Sequence, residues 1–316
     1  MFSNTHFYNF QYQLFLLAVI NAWAKVGTAE AAQQAEQILQ RMLRPNLDGA
    51  SNEDRIVRPD TVVFNAVINA WATSKDLQAG TKSLDLMRQM KELANKQGYD
   101  TEPDIVTYNT VLSAWSHCGH VNAAPQTEKI VQDMQAAANE SEKVHAPNTV
   151  SYNCILNAWS KSSHEGAAPR AQKVLDYMIA ANREEIAPDI YSFTSVLDAW
   201  AKSKEPNKGV RTRELLDKML ALYESTKRQD LRPTQVPYNT VLNACAFSAL
   251  GPLWKNREKL FKSLWKPLLL CENLKYRRIP SLTGIFSSAL QTSCRREKLG
   301  IIWLLKYSKS VVRMAW

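Results

Sequence analysis

The sequence has little glycine, no long apolar run and no paired cysteine motif, and each shortage excludes a class of protein. Only 10 of its 316 residues are Gly, which disfavours turn-rich β folds and favours helices. No apolar run reaches the roughly 18 residues of a membrane-spanning helix, so we expect no membrane insertion. The 5 Cys include no Cys-x-x-Cys pair, and we expect them to be reduced thiols.

Motifs of catalysis are also missing from the sequence. It contains no Gly-rich phosphate loop, no His-Glu-x-x-His and no Gly-x-Ser-x-Gly elbow. The His-x-Glu and Cys-x-x-Cys ligands of zinc deaminases are absent too. His117 and His120 are three residues apart without a second ligand pair, which favours a surface cluster over a metal site. We therefore expect no enzymatic activity, no cofactor and no bound metal.

Positive charge is concentrated at one end of the chain. The formal net charge is +9, and residues 246–316 contain 14 Lys and Arg against 3 Asp and Glu. Residues 1–245 therefore have a net charge of −2. A basic chain can bind a polyanion, but the charge of this one predicts nothing about its first 245 residues.

An eight-residue block recurs six times. Phe64–Trp71 returns as Tyr108–Trp115 and Tyr152–Trp159, and its last residue recurs at steps of 48, 44, 44, 41 and 45 residues. Within the block, large apolar residues follow the i, i+3, i+4, i+7 spacing of a helix face, and we name this helix A. The remaining copies are Leu16–Trp23, Phe193–Trp200 and Tyr238–Cys245.

Each helix A has a start signal, and a second apolar helix follows it. A Pro and then Asp, Asn or Thr, which are good helix N-caps, precede five of the blocks. Helix B carries apolar residues three or four apart and a Met near its end, so its Met and the Trp of helix A are expected in the core. The start signals are Pro59-Asp60, Pro103-Asp104, Pro147-Asn148, Pro188-Asp189 and Pro233-Thr234.

Helix pairs that cannot bury their apolar faces alone are expected to stack. The predicted fold is all-α, a right-handed α-solenoid superhelix of antiparallel helix-turn-helix repeats over residues 14–270. Polar connections from helix B to helix A are expected to be mobile. The predicted units are 14–60, 61–104, 105–148, 149–189, 190–234 and 235–270, and the predicted connections are 44–58, 94–102, 139–146 and 225–232.

The ends of the chain fit the repeat poorly. Residues 255–265 still resemble a helix B, but the pattern fades beyond about Cys271. Residues 1–13 are expected to be a non-repeat and truncated N-terminus. The basic segment 271–316 is expected to lie outside the repeat array.

Taken together, these units resemble the pentatricopeptide repeat family, in a P-class-like form with stretched repeats. The copy most similar to the family is Val106–Leu112, which reads Val-Thr-Tyr-Asn-Thr-Val-Leu and is closed by Pro147 and Asn148. The likeness covers about residues 16–245. The Trp-x-x-Leu-Gly-x-x-Tyr signature of tetratricopeptide repeats is not seen.

The resemblance implies that each repeat recognises about one RNA base through two or three side chains. The residue after the aromatic of helix A is one base selector, and the residue after the closing Pro is the second. An apolar residue three places before the first selector flanks the base. The implied first selectors are Asn65, Asn109, Asn153, Thr194 and Asn239, the second Asp104, Asn148, Asp189 and Thr234, and the flanking residues Val62, Val106, Val150, Tyr191 and Val236.

Family experience also implies which bases are bound. Asn–Asp pairs favour uracil and Asn–Asn pairs favour pyrimidines, often cytosine, so the units 61–104, 105–148 and 149–189 imply U, C or U, and U. The Thr194–Thr234 unit departs from the common pairs, and Leu17 replaces the selector of the first unit. The second selectors also fit plain N-caps, but a generic helical repeat has no evident need for the first-turn Asn series.

The predicted function is sequence-selective binding of single-stranded, U/C-rich RNA, with protein partners supplying any effector activity. By resemblance it would act in mitochondria or plastids, in RNA processing, stability, editing or translation. No targeting peptide is visible, and an incomplete N-terminus would account for that. The alternative is a protein-binding α-solenoid scaffold of the tetratricopeptide kind, which the near-neutral repeat region favours.

Overall fold

The computed structural model describes residues 4–43, 58–140 and 146–246, and these residues are helical apart from short connections. Odd-numbered helices below are the predicted helices A, and even-numbered helices are the predicted helices B, so both predictions are confirmed. The helices are α1 Asn4–Val26, α2 Ala29–Leu43, α3 Thr61–Ser74, α4 Ala79–Gln97, α5 Ile105–His117, α6 Ala123–Glu140, α7 Thr149–Lys161, α8 Ala167–Ala181, α9 Ile190–Lys202, α10 Lys208–Thr226 and α11 Gln235–Ala246.

The described residues divide into two compact units. The first contains everything up to Ala199 together with Lys227–Arg232, and the second contains Trp200–Thr226 and the described residues from Pro233 onward. In the first unit each helix from α1 to α7 packs on the helix that follows it, and α1, α3, α5 and α7 also pack on one another in turn. This is the stacking of α-solenoid repeats, whereas the handedness of the superhelix stays a prediction.

The second unit contains a single described helix pair. α10 packs against α11, and the buried residues Leu215, Leu216 and Met219 lie on α10. The Cys245 Sγ lies 3.6 Å from the Gly209 carbonyl oxygen. Burial raises the pKa of the Cys245 thiol to about 11, so this residue stays a neutral thiol. It occupies the position at which the other repeats have Trp.

The Trp residues that end the helix A blocks lie in the core, with one exception. Trp71, Trp115, Trp159 and Trp200 are only 1–5% exposed, which confirms the predicted core position. The same prediction is wrong for Trp23, which is 37% exposed. Each helix A from α3 to α7 contacts the helix B before it, and no described helix precedes α1 to cover Trp23 in the same way.

The buried indole of helix A is held by the preceding helix B through a carboxylate. The Trp71 Nε1 donates to Glu36 of α2 at 3.0 Å, and the Trp159 Nε1 donates to Glu128 of α6 at 2.7 Å. A cation from the following helix B pairs with the same carboxylate and lies over the same ring. The cations are Lys82, 5.7 Å from the Trp71 ring centroid, and Arg170, 5.7 Å from that of Trp159.

Trp115 lacks such a carboxylate. Leu84 of α4 occupies the sequence position that Glu36 and Glu128 have in their helices, and the buried Trp115 Nε1 has no hydrogen-bond partner. The ring instead lies flat against α4 at Gly80, where an added Cβ would be 2.5 Å from Trp115 Cδ2. Gly80 is therefore required by this close approach. The aligned position is Ala32, Ala124 or Ala168 in three other helices B and Gly209 in α10.

The connections from helix B to helix A are more ordered than predicted. α4 continues to Gln97, so the predicted connection 94–102 is partly helical. Short 3-10 turns, Glu184–Ile186 and Gln229–Leu231, bury Ile186 and Leu231 to 1% and 0% exposure. Leu231 is therefore a buried apolar anchor within the predicted polar connection 225–232, whereas the mobility of the connections stays a prediction. The connection 44–58 lies almost wholly outside the described residues, as does most of 139–146.

The remaining predictions about the chain ends are not tested. α1 begins at Asn4 and runs through the predicted boundary at residue 13 without a break. The expected sixth helix B at 255–265 and the basic segment 271–316 lie outside the described residues. The division of the chain into six units therefore stays a prediction.

The indole–carboxylate bond provides a stability test. Replacing Glu128 by Leu copies the arrangement at Trp115 and leaves the Trp159 Nε1 without its acceptor. Because an unsatisfied buried donor costs about 1–3 kcal/mol, we expect E128L to lower the free energy of unfolding by that amount. Chemical denaturation measures it.

The matched control is Lys129→Leu, which removes a charge from the adjacent, exposed position of the same helix. We expect that change to stay within about 0.5 kcal/mol of the wild type. Equal effects of the two substitutions would mean that the indole bond does not stabilise the repeat.

Candidate nucleic-acid interface

The residue that follows each closing Pro caps the next helix A. The side chains of Asp60, Asp104 and Asn148 accept hydrogen bonds from the backbone N–H three residues on, at 2.9, 2.8 and 3.1 Å. Asp189 accepts the same bond from Ser192 at 2.8 Å. The predicted N-cap role is confirmed at all four positions, and each of these side chains is half-buried rather than fully exposed.

The first residue of α3 and of α7 is a Thr that contacts the segment before the next N-cap. The Thr61 hydroxyl lies 3.2 Å from the carbonyl oxygens of both Asp100 and Glu102. The Thr149 hydroxyl lies 3.1 and 3.0 Å from those of Glu185 and Ala187. Each Thr thus binds the segment that leads to the following Pro and N-cap, so successive helices A start at a fixed offset.

The first-turn Asn of one repeat binds the cap of the next. The Nδ2 of Asn65 donates to Asp104 Oδ1 at 3.2 Å, and the Nδ2 of Asn153 donates to both oxygens of Asp189 at 3.2 and 3.1 Å. The Nδ2 of Asn109 is 3.5 Å from Asn148 Oδ1, a long contact. The structure therefore brings the predicted first and second selectors of these three repeats together.

A hydroxyl completes each of these contacts. The third residue of the following helix A is Thr107, Ser151 or Ser192, and its hydroxyl donates to the Oδ1 of the preceding Asn at 2.7, 2.7 and 2.6 Å. The hydroxyl oxygen in turn accepts a hydrogen bond from the N-cap backbone N–H at 3.2, 3.2 and 3.1 Å. We call the Asn, the N-cap side chain and this hydroxyl the inter-repeat clasp.

The clasp corrects one step of the sequence argument. The first-turn Asn was expected to have no structural role in a generic helical repeat, and that expectation is wrong. Asn65, Asn109 and Asn153 each connect one helix A to the start of the next. The Asn series therefore does not by itself separate an RNA-binding protein from a scaffold. The sequence signal of the clasp was the Thr or Ser just before Tyr108, Tyr152 and Phe193.

The clasp is absent at the other two junctions. Leu17 has no polar group, Val63 occupies the hydroxyl position of α3, and Gln13 donates to Asp60 at 2.8 Å instead. Thr194 donates to the carbonyl of Tyr191 in its own helix at 3.1 Å. Thr194 lies in the first unit and Thr234 in the second, so their predicted pairing stays a prediction, as does a role for the half-buried Asn239.

The predicted base-flanking residues form a regular exposed series. Each is the second residue of its helix A and lies three residues before the first selector, which makes the two neighbours on the helix surface. The aromatic residue two places after each flanking residue is buried in the core. Val62, Val106, Val150, Tyr191 and Val236 are 57%, 53%, 52%, 71% and 58% exposed.

Basic side chains occur at the other end of helix A. The exposed residues Lys25, His117, Lys161 and Lys202 are in the last turns of α1, α5, α7 and α9, and Lys75 is the C-cap of α3. Partial desolvation lowers the pKa of His117, and the nearby charges of Lys161 and Lys75 lower it further, against the Ser113 carbonyl, which raises it. Cations here also suit a helix C-terminus.

Other kinds of site find no support in the part of the chain that the structure describes. No group of three or more His, Cys, Asp or Glu there is arranged to hold a metal ion. His120 and His164 instead lie edge-on to Trp115 and Trp159, with ring centroids 5.7 and 6.4 Å apart. None of the described helices is both long and apolar enough to cross a membrane.

These helix pairs, stacked through helix A and connected cap to cap, define a helical repeat protein. Comparison with family models identifies the repeat, because the pentatricopeptide repeat domain matches residues 90–162 and 173–247. Those stretches are therefore pentatricopeptide repeats, a class of RNA-binding module, which confirms the resemblance. Searches of curated proteins and of solved structures found no match to the chain.

The clasp should stabilise the protein without RNA. Replacing Asn153 by Ala removes its bonds to Asp189 and Ser192, and we expect the free energy of unfolding to fall by about 1 kcal/mol. The control is Thr194→Ala at the same position of the next helix A, where the hydroxyl bonds only within its helix. Equal stability of the two variants in denaturant titrations would show that the clasp contributes nothing.

Proposed function

We propose that the chain binds single-stranded RNA with a sequence preference, one base per repeat, through the selector residues of helix A and the following N-cap. The observation that carries this proposal is the exposed apolar series at the second position of five successive helices A. A single exposed Val is ordinary on a protein surface. Five at one repeat position, each beside a selector, are what stacking against a base face requires.

The clasp leaves a defined set of hydrogen-bonding groups for a base. Capping uses one oxygen of the N-cap side chain, and the hydroxyl uses the Oδ1 of the selector Asn. The second proton of the Asn Nδ2 remains, together with the outer atom of the cap. That outer atom is an acceptor oxygen in Asp104 and a donor nitrogen in Asn148. In Asp189 it is an oxygen that also accepts from Asn153 Nδ2 at 3.1 Å and has a second lone pair for a base.

This difference matches the chemistry of the two pyrimidines. Uracil has a donor at N3, which suits the outer oxygen of Asp104 or Asp189. Cytosine has an acceptor at N3, which suits the outer amide of Asn148. Both bases have carbonyl oxygens for the Asn donor. We therefore assign U, C and U to the units 61–104, 105–148 and 149–189, with RNA running 5′ to 3′ from the N-terminal repeat.

The near-neutral net charge of the repeat region does not exclude RNA binding, because basic side chains cluster at one end of helix A. The repeat region is near neutral in sum, which favoured a scaffold. Its exposed lysines are nevertheless placed at one end of successive helices A, and Lys75 and Lys161 are both close enough to His117 to lower its pKa. A line of cations that runs from repeat to repeat suits the phosphates of an extended strand.

A protein-binding scaffold is the second candidate, and the clasp favours it to a degree, because it explains the Asn series without RNA. The exposed apolar series would then contact a partner protein. By family resemblance we propose that the RNA-binding candidate acts in mitochondria or plastids, in RNA processing, stability, editing or translation. In either case, partner proteins supply the effector activity.

Reciprocal cap exchanges test the base assignment. Asn148→Asp should shift the preference of that position from cytosine to uracil, and Asp104→Asn should do the reverse at its own position. Both residues cap helices equally well, so stability is conserved. We expect the ratio of the two dissociation constants to change by about tenfold, measured by fluorescence anisotropy with single-stranded RNA containing UCU or UUU for Asn148→Asp and UCU or CCU for Asp104→Asn.

The selectors themselves give the control for this experiment. Asn109→Ser and Asn153→Thr should weaken selection at their own positions only. Weak binding that is equal for U/C-rich and scrambled RNA and disappears with added salt would reject base recognition. That result would favour a scaffold, or attraction to the basic segment alone.

A further inference from the structure

A hydroxyl in the third position of helix A occurs together with a selector Asn in the repeat before it. Three junctions have both, namely Asn65 with Thr107, Asn109 with Ser151 and Asn153 with Ser192. Two junctions have neither, because Val63 follows Leu17 and Pro237 follows Thr194 in these positions. Helix α3 has Val63 in the third position and is still capped by the Asp60 side chain. Capping alone therefore does not require the hydroxyl.

The nearer acceptor for the hydroxyl proton is the oxygen of the Asn rather than that of the cap. Thr107 Oγ1 is 2.7 Å from Asn65 Oδ1 and 2.8 Å from Asp104 Oδ1. For Ser151 the two distances are 2.7 and 3.2 Å, and for Ser192 they are 2.6 and 3.0 Å. The Asn oxygen is the nearer acceptor every time, and the cap oxygen already accepts a backbone N–H.

This contact decides which way the Asn amide faces. An Asn side chain can turn by 180° and exchange its oxygen and nitrogen at little cost, unless its hydrogen-bond partners favour one orientation. Here a donor hydroxyl faces the oxygen and an acceptor cap faces the nitrogen, so one orientation satisfies both. Thr107, Ser151 and Ser192 are all 0% exposed, so water has no access to replace the hydroxyl.

We propose that Thr107, Ser151 and Ser192 are positioning residues for base selection, each acting through the selector Asn of the preceding repeat. The hydroxyl holds the Asn oxygen inward and keeps an N–H of its amide on the side available to a base. This inference rests on the proposed RNA binding. It adds one residue per junction to the set that determines specificity, and that residue touches no base itself.

A structural explanation competes with this one. The hydroxyl also accepts the N-cap backbone N–H, as in a capping box. If that bond were its whole purpose, removing the hydroxyl would destabilise the protein and weaken all RNAs alike. If the hydroxyl orients the Asn, its removal changes the ratio between RNAs, because only the cap then remains to orient the Asn amide.

The test replaces Thr107 by Val, which has the same shape without the hydroxyl. The measurement is the ratio of dissociation constants for RNAs with uracil or another base opposite Asn65. We expect T107V to lower this preference severalfold, toward one, while positions opposite Asn109 and Asn153 keep theirs. Thr107→Ser retains the hydroxyl and should retain the preference, and Ser151→Ala should lose it opposite Asn109.

Two further measurements separate the possible outcomes. In an Asn65→Ala background, T107V should produce no additional change in base preference, as a double-mutant cycle shows for residues that act as a unit. Without RNA, the Asn65 side-chain amide protons should exchange slowly with water in NMR spectra, and T107V should speed that exchange.

The failure of this inference differs from the failure of the proposed function. If the wild type shows no base preference, RNA selection itself is rejected and the positioning role with it. If the wild type is selective and T107V and S151A keep the same ratios with a lower midpoint of thermal unfolding, the hydroxyls only cap helices. In that case the positioning role alone is overturned.

Discussion

The repeats depend on one constraint, which is that the first-turn amides of every helix A must find acceptors that the helix itself does not provide. A single side chain after each closing Pro supplies the acceptor, as Asp104 does for Thr107 at 2.8 Å. The same side chain also accepts a proton from the Asn of the previous repeat. Local capping and contact between repeats therefore share one group, so the distance from one selector to the next cap is set by the fold before any ligand arrives.

Local patterns predicted the elements, whereas contacts between repeats were not predictable from the sequence. Apolar spacing located both helices of each pair, and the Pro-Asp signals located the starts of helix A, because both depend on neighbouring residues. The clasp joins residues 36 to 42 positions apart, and no pattern within one helix reports such a contact. Trp23 was misplaced for a similar reason, since its burial depends on a helix outside its own pair. The buried Leu231 was missed because one apolar residue in a polar segment has no periodicity.

The fold and the candidate site use the same atoms, which changes how the sequence motif should be interpreted. The Asn of the repeat was a functional signal only while it lacked a structural explanation. In the structure it has one, and its remaining N–H is what a base can use. The exposed residue at the second position of helix A differs, because Val106 at 53% exposure makes no comparable contribution to the core. That series therefore separates base recognition from mere assembly better than the polar residues do.

Three clasped repeats limit how much sequence the array can select. On the proposed reading of one base per repeat, they would distinguish roughly one triplet in sixty-four, so many sites in any long transcript would fit. Apolar stacking and phosphate contacts at the remaining repeats would add affinity without adding much selection, since neither depends strongly on the base. The net charge of +11 on residues 246–316 would attract RNA in the same unselective way. Under the proposed function, selection of one transcript would then come from a small pool of competitors or from a partner, and the clasped repeats would fix only where on that RNA the chain is placed.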